Sequence, residues 1–395
     1  MLYARIVVAL VLGAWLSWQI VAAGFAGLAA RSRDPRLLTI MGTSAHPDAG
    51  AIRAEAMLAT GDKTGAARIA RNVVLVDPTG DRALRVLGMA TEALGDRDAG
   101  SRIMNQAGGL GWRDTPTQLW VLKDAALRDD AVTVIQRADA LARRNRSTDL
   151  TRAIFIAAVT EPTLRTALID SLARQPVWRT AFFSDVRQRL PASAIPGMEA
   201  FLREMQKRGQ PVSPDEWLNY VDRLIDLGDY RRARALWAHH FAIPTAWLRT
   251  APYDGDFALV AARAPDAPTS QFEWTVDPNL VGLIDFGSGT KGKSLSFPAE
   301  IASGTAITAQ LMILSPGSHM LSARISGNPG AAEWGVTCLP SGRAVPRRLP
   351  RGPDDALSNV AFDVPATDCG AQRLTLTARE RLDMQPTSIA AVRIR

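Results

Sequence analysis

Apolar and polar positions alternate in three different ways along this chain. Residues 6–30 carry no charged side chain, and Arg5 and Arg31 bound the run. About 20 apolar residues cross the hydrocarbon core of a bilayer as a helix, so this stretch is long enough to span one. Over residues 51–250 the apolar positions recur at helical spacing, clearest at 52–60, 66–76, 84–94, 150–159, 162–174 and 178–190. Past Pro252 that spacing ends, and Gly, Pro, Ser and Thr rise. Short alternating runs there predict strands at 272–276, 280–286, 293–297, 306–314, 320–325, 333–339, 358–364, 374–378 and 388–394. The pattern predicts a multidomain chain: a transmembrane signal anchor or signal peptide (1–30), a linker (31–50), an all-α helical repeat domain (51–250) and an all-β sandwich (251–395).

Within the helical region a turn repeats. Gly61-Asp62 and Gly95-Asp96 lie 34 residues apart, the period of helix-turn-helix units that stack into a solenoid. Glycine permits the left-handed conformation that ends one helix, and the Asp side chain can accept from the free N–H groups that begin the next. Ala66 and Pro78 in the first unit, Leu87-Gly88 in the second, and Trp217, Gly228-Asp229, Ala233, Trp237 and Pro244 in a later one follow the same plan. On these residues the region resembles the tetratricopeptide repeat family in a degenerate form. Ala126-Leu127-Arg128-Asp129 keeps the beat with Arg in the glycine position, and the phase is lost between 146 and 210. The resemblance implies a concave surface for partner proteins, hence a scaffold or adaptor; a rigid spacer is the plainer alternative.

The β region opens with Tyr253-Asp254-Gly255-Asp256-Phe257, followed by Phe272-Glu273-Trp274, and later carries Leu314, Pro316, Gly317, His319 and Leu321. These segments resemble the galactose-binding-like jelly rolls of carbohydrate-binding modules, which implies polysaccharide as a ligand. Trp274 and Trp334 are the candidate aromatic platforms for sugar, set against the ordinary fate of tryptophan in a sandwich, which is burial. Arg343, Arg347, Arg348 and Arg351, interrupted by Pro346 and Pro350, predict an exposed loop that could meet an anion or simply be solvated.

Charge and cysteine content refine this picture. The 46 basic residues exceed the 39 acidic ones, but they are interspersed with them and include only five lysines, so nucleic acid is not an expected partner. The two cysteines, Cys338 and Cys369, sit 31 residues apart in the β region and suit one disulfide in an oxidising compartment, with two buried thiols as the alternative. Arg5 argues for a cytoplasmic amino terminus, whereas Arg31, Arg33 and Arg36 argue against it. The apolar run exceeds the roughly 7–15 residues of a signal-peptide core, which favours a single-pass anchor in the inner membrane, and the cysteine pair decides for a body in the periplasm.

No catalytic, cofactor or metal motif stands out. The four histidines, His46, His239, His240 and His319, lack ligand spacing, and no phosphate loop, nucleophile elbow or Cys-x-x-Cys is present. The expectation is a non-catalytic envelope scaffold that uses no cofactor. It binds partner proteins and sits near polysaccharide synthesis or export. A glycan hydrolase or lyase with an unrecognised acid pair is the alternative.

Overall fold

The computed structural model describes residues 47–395 apart from 265–266, 290–291, 329, 346, 349–358 and 381–384, together with positions 14, 15, 17 and 21. The charge-free run at 6–30 therefore lies outside the described residues but for those four positions. Among the described residues no helix is long and apolar enough to cross a membrane. Two compact units divide the chain between Trp178 and Arg179.

The first unit holds eight described helices in sequence-adjacent pairs: α1 (Pro47–Ala59) with α2 (Lys63–Val76), α3 (Asp81–Ala93) with α4 (Arg97–Leu110), α5 (Thr115–Leu127) with α6 (Ala131–Arg143), and α7 (Thr148–Ala158) with α8 (Pro162–Leu172). Alanine dominates the inner face, where Ala54, Ala66, Ala67, Ala70 and Ala90 pack with Val86 and Leu87. Short side chains let the helices approach closely. Where α3 crosses α4 a Cβ on Gly100 would lie 2.9 Å from Glu92 N and 3.0 Å from Gly88 O, so backbone meets backbone there. Deeper cohesion comes from Arg85, which is buried and joins Glu55 of α1 (2.9 Å) to Asp114, the residue that caps α5 (2.7 Å).

The 34-residue beat is a recurring helix stop. Gly61, Gly95 and Asp129 occupy the left-handed region at φ 92°, 107° and 56°. The next residue donates back to the carbonyl five positions earlier: Asp62 to Met57 (2.9 Å), Asp96 to Thr91 (3.2 Å) and Asp130 to Ala125 (2.9 Å). The side chains of Asp62, Asp96 and Asp130 then accept from Gly65, Ala99 and Thr133 and start the following helix. Arg128, expected in the glycine position of the third turn, is one residue out: a 34-residue step from Gly95 falls on Asp129, and the structure puts the left-handed residue there. Asp tolerates left-handed backbone better than Arg because its short side chain bonds locally.

The second unit combines four helices with the strands. They are α9 (Arg179–Arg189), α10 (Ile195–Lys207), α11 (Pro214–Asp226) and α12 (Tyr230–His240), followed by a one-turn α13 (Ala258–Ala262). Ser213 and Glu216 form a capping box at the start of α11, and its apolar face of Trp217, Leu218, Tyr220, Val221, Leu224 and Ile225 is buried. The stretch between 146 and 210, where the sequence loses its phase, is filled by α7 to α10, and left-handed residues recur there as well, Gln175 at φ 49° and Gly209 at φ 67°, 34 residues apart.

The β region is a two-sheet antiparallel sandwich. Its strands are β1 (Thr275–Val276), β2 (Ser288–Gly289), β3 (Gly292–Lys293), β4 (Leu295–Phe297), β5 (Ala306–Met312), β6 (Gly317–Ser326), β7 (Ala332–Pro340), β8 (Arg347–Arg348), β9 (Asn359–Val364), β10 (Cys369–Ala378) and β11 (Thr387–Ile394). One sheet runs β1-β5-β10-β7, the other β4-β11-β6-β9-β8, and β2 pairs with β3. Alternating residues of both sheets fill the core, Ile307, Trp334, Leu374 and Leu376 from one and Leu295, Leu321, Phe362 and Ile389 from the other. The strand expected at 280–286 does not form. Gly282 turns the chain at φ 91°, and only Asp285 pairs, with Ser296.

Helix and sandwich pack together in this unit. Trp237 of α12 meets Tyr253 edge-on at 5.1 Å and stacks on Phe272 at 5.4 Å. Gln271 donates to Asp222 of α11 (3.0 Å) and accepts from Arg373 of β10 (2.9 Å).

Candidate functional site

The Tyr253–Phe257 segment, which carried the resemblance to carbohydrate-binding modules, is a structural corner. Asp254 and Phe257 are left-handed at φ 52° and 57°. The Asp254 carboxylate accepts from Leu259 and Val260 N–H at 3.0 Å and holds α13, while its carbonyl accepts the Trp274 indole N–H at 2.9 Å. Gly255 accepts from Val392 N–H at 2.8 Å, and a Cβ on it would fall 2.0 Å from Val392 O, so no other residue fits.

Trp274 and Trp334, expected as glycan platforms, are only 2% and 1% exposed and lie 6.2 Å apart inside the sandwich. That corrects the expectation: neither ring offers a face to solvent. The apolar area of an indole is worth more between two sheets than at the surface.

The four arginines fare differently from one another. Arg343 is exposed, and Arg347 and Arg348 form the edge strand β8 opposite Phe362 and Ala361, where a loop was expected. Arg351 lies outside the described residues. Cys338 and Cys369 are bonded as a disulfide between neighbouring strands β7 and β10, with Cα atoms 4.7 Å apart.

Two half-buried carboxyls, Asp254 and Glu273, lie near enough that the charge of Asp254 adds to the upward effect of burial on the Glu273 pKa. Burial pushes the carboxyls of Asp254 and Glu273 above their ordinary range, against hydrogen bonds that pull them down. Both carboxylates already serve the fold: Glu273 accepts from Ser270 N–H (2.9 Å) and pairs with Arg263. Among the described residues no group of three or more His, Cys, Asp or Glu side chains gathers as a metal site requires.

A different site emerges in the first unit. A groove of about 650 Å³ is lined by Trp112, Arg113, Gln136, Asp139, Ala140, Arg143, Arg144 and Arg174. Gln136, Asp139 and Arg143 fall on one face of α6 through three- and four-residue spacing. Trp112 and Arg113 project from the connection between α4 and α5, where Asp114 caps α5 and fixes the loop's end. The Arg137 guanidinium covers one face of the Trp112 ring at 4.0 Å, and Arg137 also donates to Gln118 (2.8 Å) and to Gly108 O (3.1 Å). Arg144 donates to the Trp112 carbonyl at 3.1 Å. Trp112 remains 46% exposed.

The electrostatics of this groove are one-sided. Four arginines line it against one acid, Asp139. Asp139 accepts from Arg143 at 2.9 Å with both oxygens and from the Trp178 indole at 2.6 Å. Arg113, Arg144 and Arg174 pair with no carboxylate among the described residues. Guanidinium forks with an adjacent indole suit carboxylate-bearing peptide, because the forks take the charge and the ring takes the apolar contact.

Sequence reasoning missed this site. Its only local signal was the Gly-Trp-Arg-Asp connection at 111–114 before α5, and the remaining arginines come from the end of α6 and its C-cap and from the residues after α8. Neither a protein-family model nor a curated protein matches this chain.

Proposed function

We propose that this protein is a non-catalytic adaptor of the cell envelope, in which the Trp112 groove holds an acidic segment of a partner protein. The observation that carries this is the excess of arginine in the groove, with its single carboxylate already bonded to Arg143 and Trp178. On this proposal the helical region is a degenerate tetratricopeptide-like array and the β region a jelly roll. The run at 6–30 tethers the chain to the inner membrane with its body in the periplasm. The bonded cysteines support an oxidising compartment.

Binding of a fluorescent acidic peptide, compared with a neutral peptide of equal length, tests the groove. The acidic peptide should bind more tightly and weaken steeply with salt, since a Debye length of about 8 Å at physiological ionic strength screens exposed charge. Replacing Arg113 and Arg174 with Glu should abolish the preference. Equal binding of both peptides, or a double variant with unchanged affinity, would refute the assignment. Protease protection in spheroplasts tests the tether separately.

A further inference from the structure

Every charged residue of α2 is basic: Lys63, Arg68 and Arg71. The acids on either side lie outside the helix and are engaged, Asp62 with the Gly65 N–H and Asp77 with Thr79. The buried Ala66, Ala67, Ala70 and Val73 fall on one side of α2, while Thr64, Arg68, Arg71, Asn72 and Leu75 share the opposite side and are all exposed. Arg68 and Arg71 pair with no carboxylate among the described residues. Leu75 and Val76 close the helix at 79% and 71% exposure, an apolar pair left in water.

The fold puts that pair at the end from which the chain arrives. α1 and α2 run antiparallel: Gly65 lies against Met57 near the turn, and at the far end a Cβ on Gly50 would fall 2.5 Å from Val73 Cγ2. Ala51 and Val73 share a buried cluster there. The last turn of α2 therefore returns to the first turn of α1, which begins at Pro47. Residues 31–46 separate Pro47 from the charge-free run at 6–30 and reach at most about 55 Å when fully extended. They carry Arg31, Arg33 and Arg36 against Asp34 alone, so they do not complement a basic face.

We propose that α2 rests on an anionic lipid surface beside the chain's own tether, with Arg68 and Arg71 at the phosphates of the headgroups and Leu75 and Val76 in the apolar boundary beneath them. The contact rests on the reading of residues 6–30 as a membrane tether. Guanidinium forks fit phosphate, and their aliphatic stems lie along apolar surface while the heads stay in the polar layer. Basic side chains on one helix face with apolar ones beside them are the composition that binds anionic bilayers in the plane of the interface. Docked in this way, the first helix pair fixes the angle at which the helical array leaves the membrane.

The full-length chain carrying Leu75→Cys, labelled with an environment-sensitive fluorophore and reconstituted into vesicles containing spin-labelled lipid, tests the contact. The native cysteines are bonded to each other, so the introduced thiol takes the label. In mixed phosphatidylglycerol and phosphatidylcholine vesicles the label should be quenched. Arg68→Glu with Arg71→Glu should cut that quenching at least about fivefold, since each basic residue near an anionic surface adds roughly a factor of five to partitioning. Both arginines are exposed, so the double variant should melt with the wild type. Vesicles of phosphatidylcholine alone should show the same loss of quenching. Flotation in carbonate reads the tether separately. A floating protein whose label is unquenched, or is quenched alike in both lipids and in the double variant, overturns the contact and leaves the tether standing. A label shielded from water yet unquenched means that residues 31–46 or a second copy of the chain covers α2, and overturns the contact too. Loss of flotation removes the tether and the contact together.

Discussion

The indole of Trp178 donates to the carboxylate of Asp139 at 2.6 Å, and the same carboxylate accepts Arg143, so the one acid of an arginine-lined groove is neutralised from within. Trp178 is buried and stacks on Phe155 at 4.2 Å, which holds the donor in place. Asp139→Asn should therefore separate binding from stability. Acidic-peptide affinity should rise as the groove loses its negative charge, while stability falls by about 1–3 kcal/mol through weakened bonds to Arg143 and Trp178. Paired peptide titrations and urea melts check both signs.

Arg179 and Glu216 form a buried two-pronged pair, the second contact at 2.8 Å, and Glu216 also accepts Ser213 N–H at 2.9 Å in the α11 capping box. Removing one partner of a buried ion pair strands the other, so Glu216→Ala should cost about 3–5 kcal/mol. Chemical denaturation should show the loss. Ser213→Ala, which removes only the hydroxyl, should cost about 1 kcal/mol.

The repeated turn makes a directional prediction. Gly95 sits at φ 107° and Asp129 at φ 56° in equivalent turns. Gly95→Ala should destabilise by about 1–2 kcal/mol through left-handed strain. Asp129→Gly should be neutral to stabilising, since it relieves that strain but adds unfolded-state freedom. A lowered melting temperature for Gly95→Ala and an unchanged or raised one for Asp129→Gly check the pair.

His240 should make the second unit acid-sensitive. Its ring stacks on Trp217 at 3.4 Å, and burial, with His239 adding to it, pushes its pKa down to about 4. The unfolded chain binds a proton near pH 6.5, and the folded chain resists it until about 4. Stability is thus fully present above about pH 6.5 and declines as pH falls towards 4. His240→Gln should flatten that part of the stability profile, measured by melts between pH 7 and 4.

Much of the fold is legible in the chain itself. The helices at 52–60, 66–76 and 84–94 and the strands at 306–314, 333–339 and 388–394 follow from periodicity, because each element buries one face and the sequence repeats at that element's pitch. The strand expected at 280–286 fails because its apolar residues say nothing of the positive φ at Gly282. The sites were not legible. Trp274 and Trp334 have the composition of a sugar platform, yet composition does not say which face of a strand turns inward.

By itself the sequence determined that helical spacing gives way to short strands, and it placed the Gly61 and Gly95 stops with their Asp caps; the two cysteines it narrowed to a disulfide or two buried thiols. These depend on near neighbours in the chain or on there being no other partner. Only the tertiary structure brought Trp112 and Arg113 from one connection together with Asp139, Arg143 and Arg174 from elsewhere. It alone buried Trp274 and Trp334 inside the sandwich. Both depend on which helix and strand faces meet, and that is decided by packing between elements far apart in the chain.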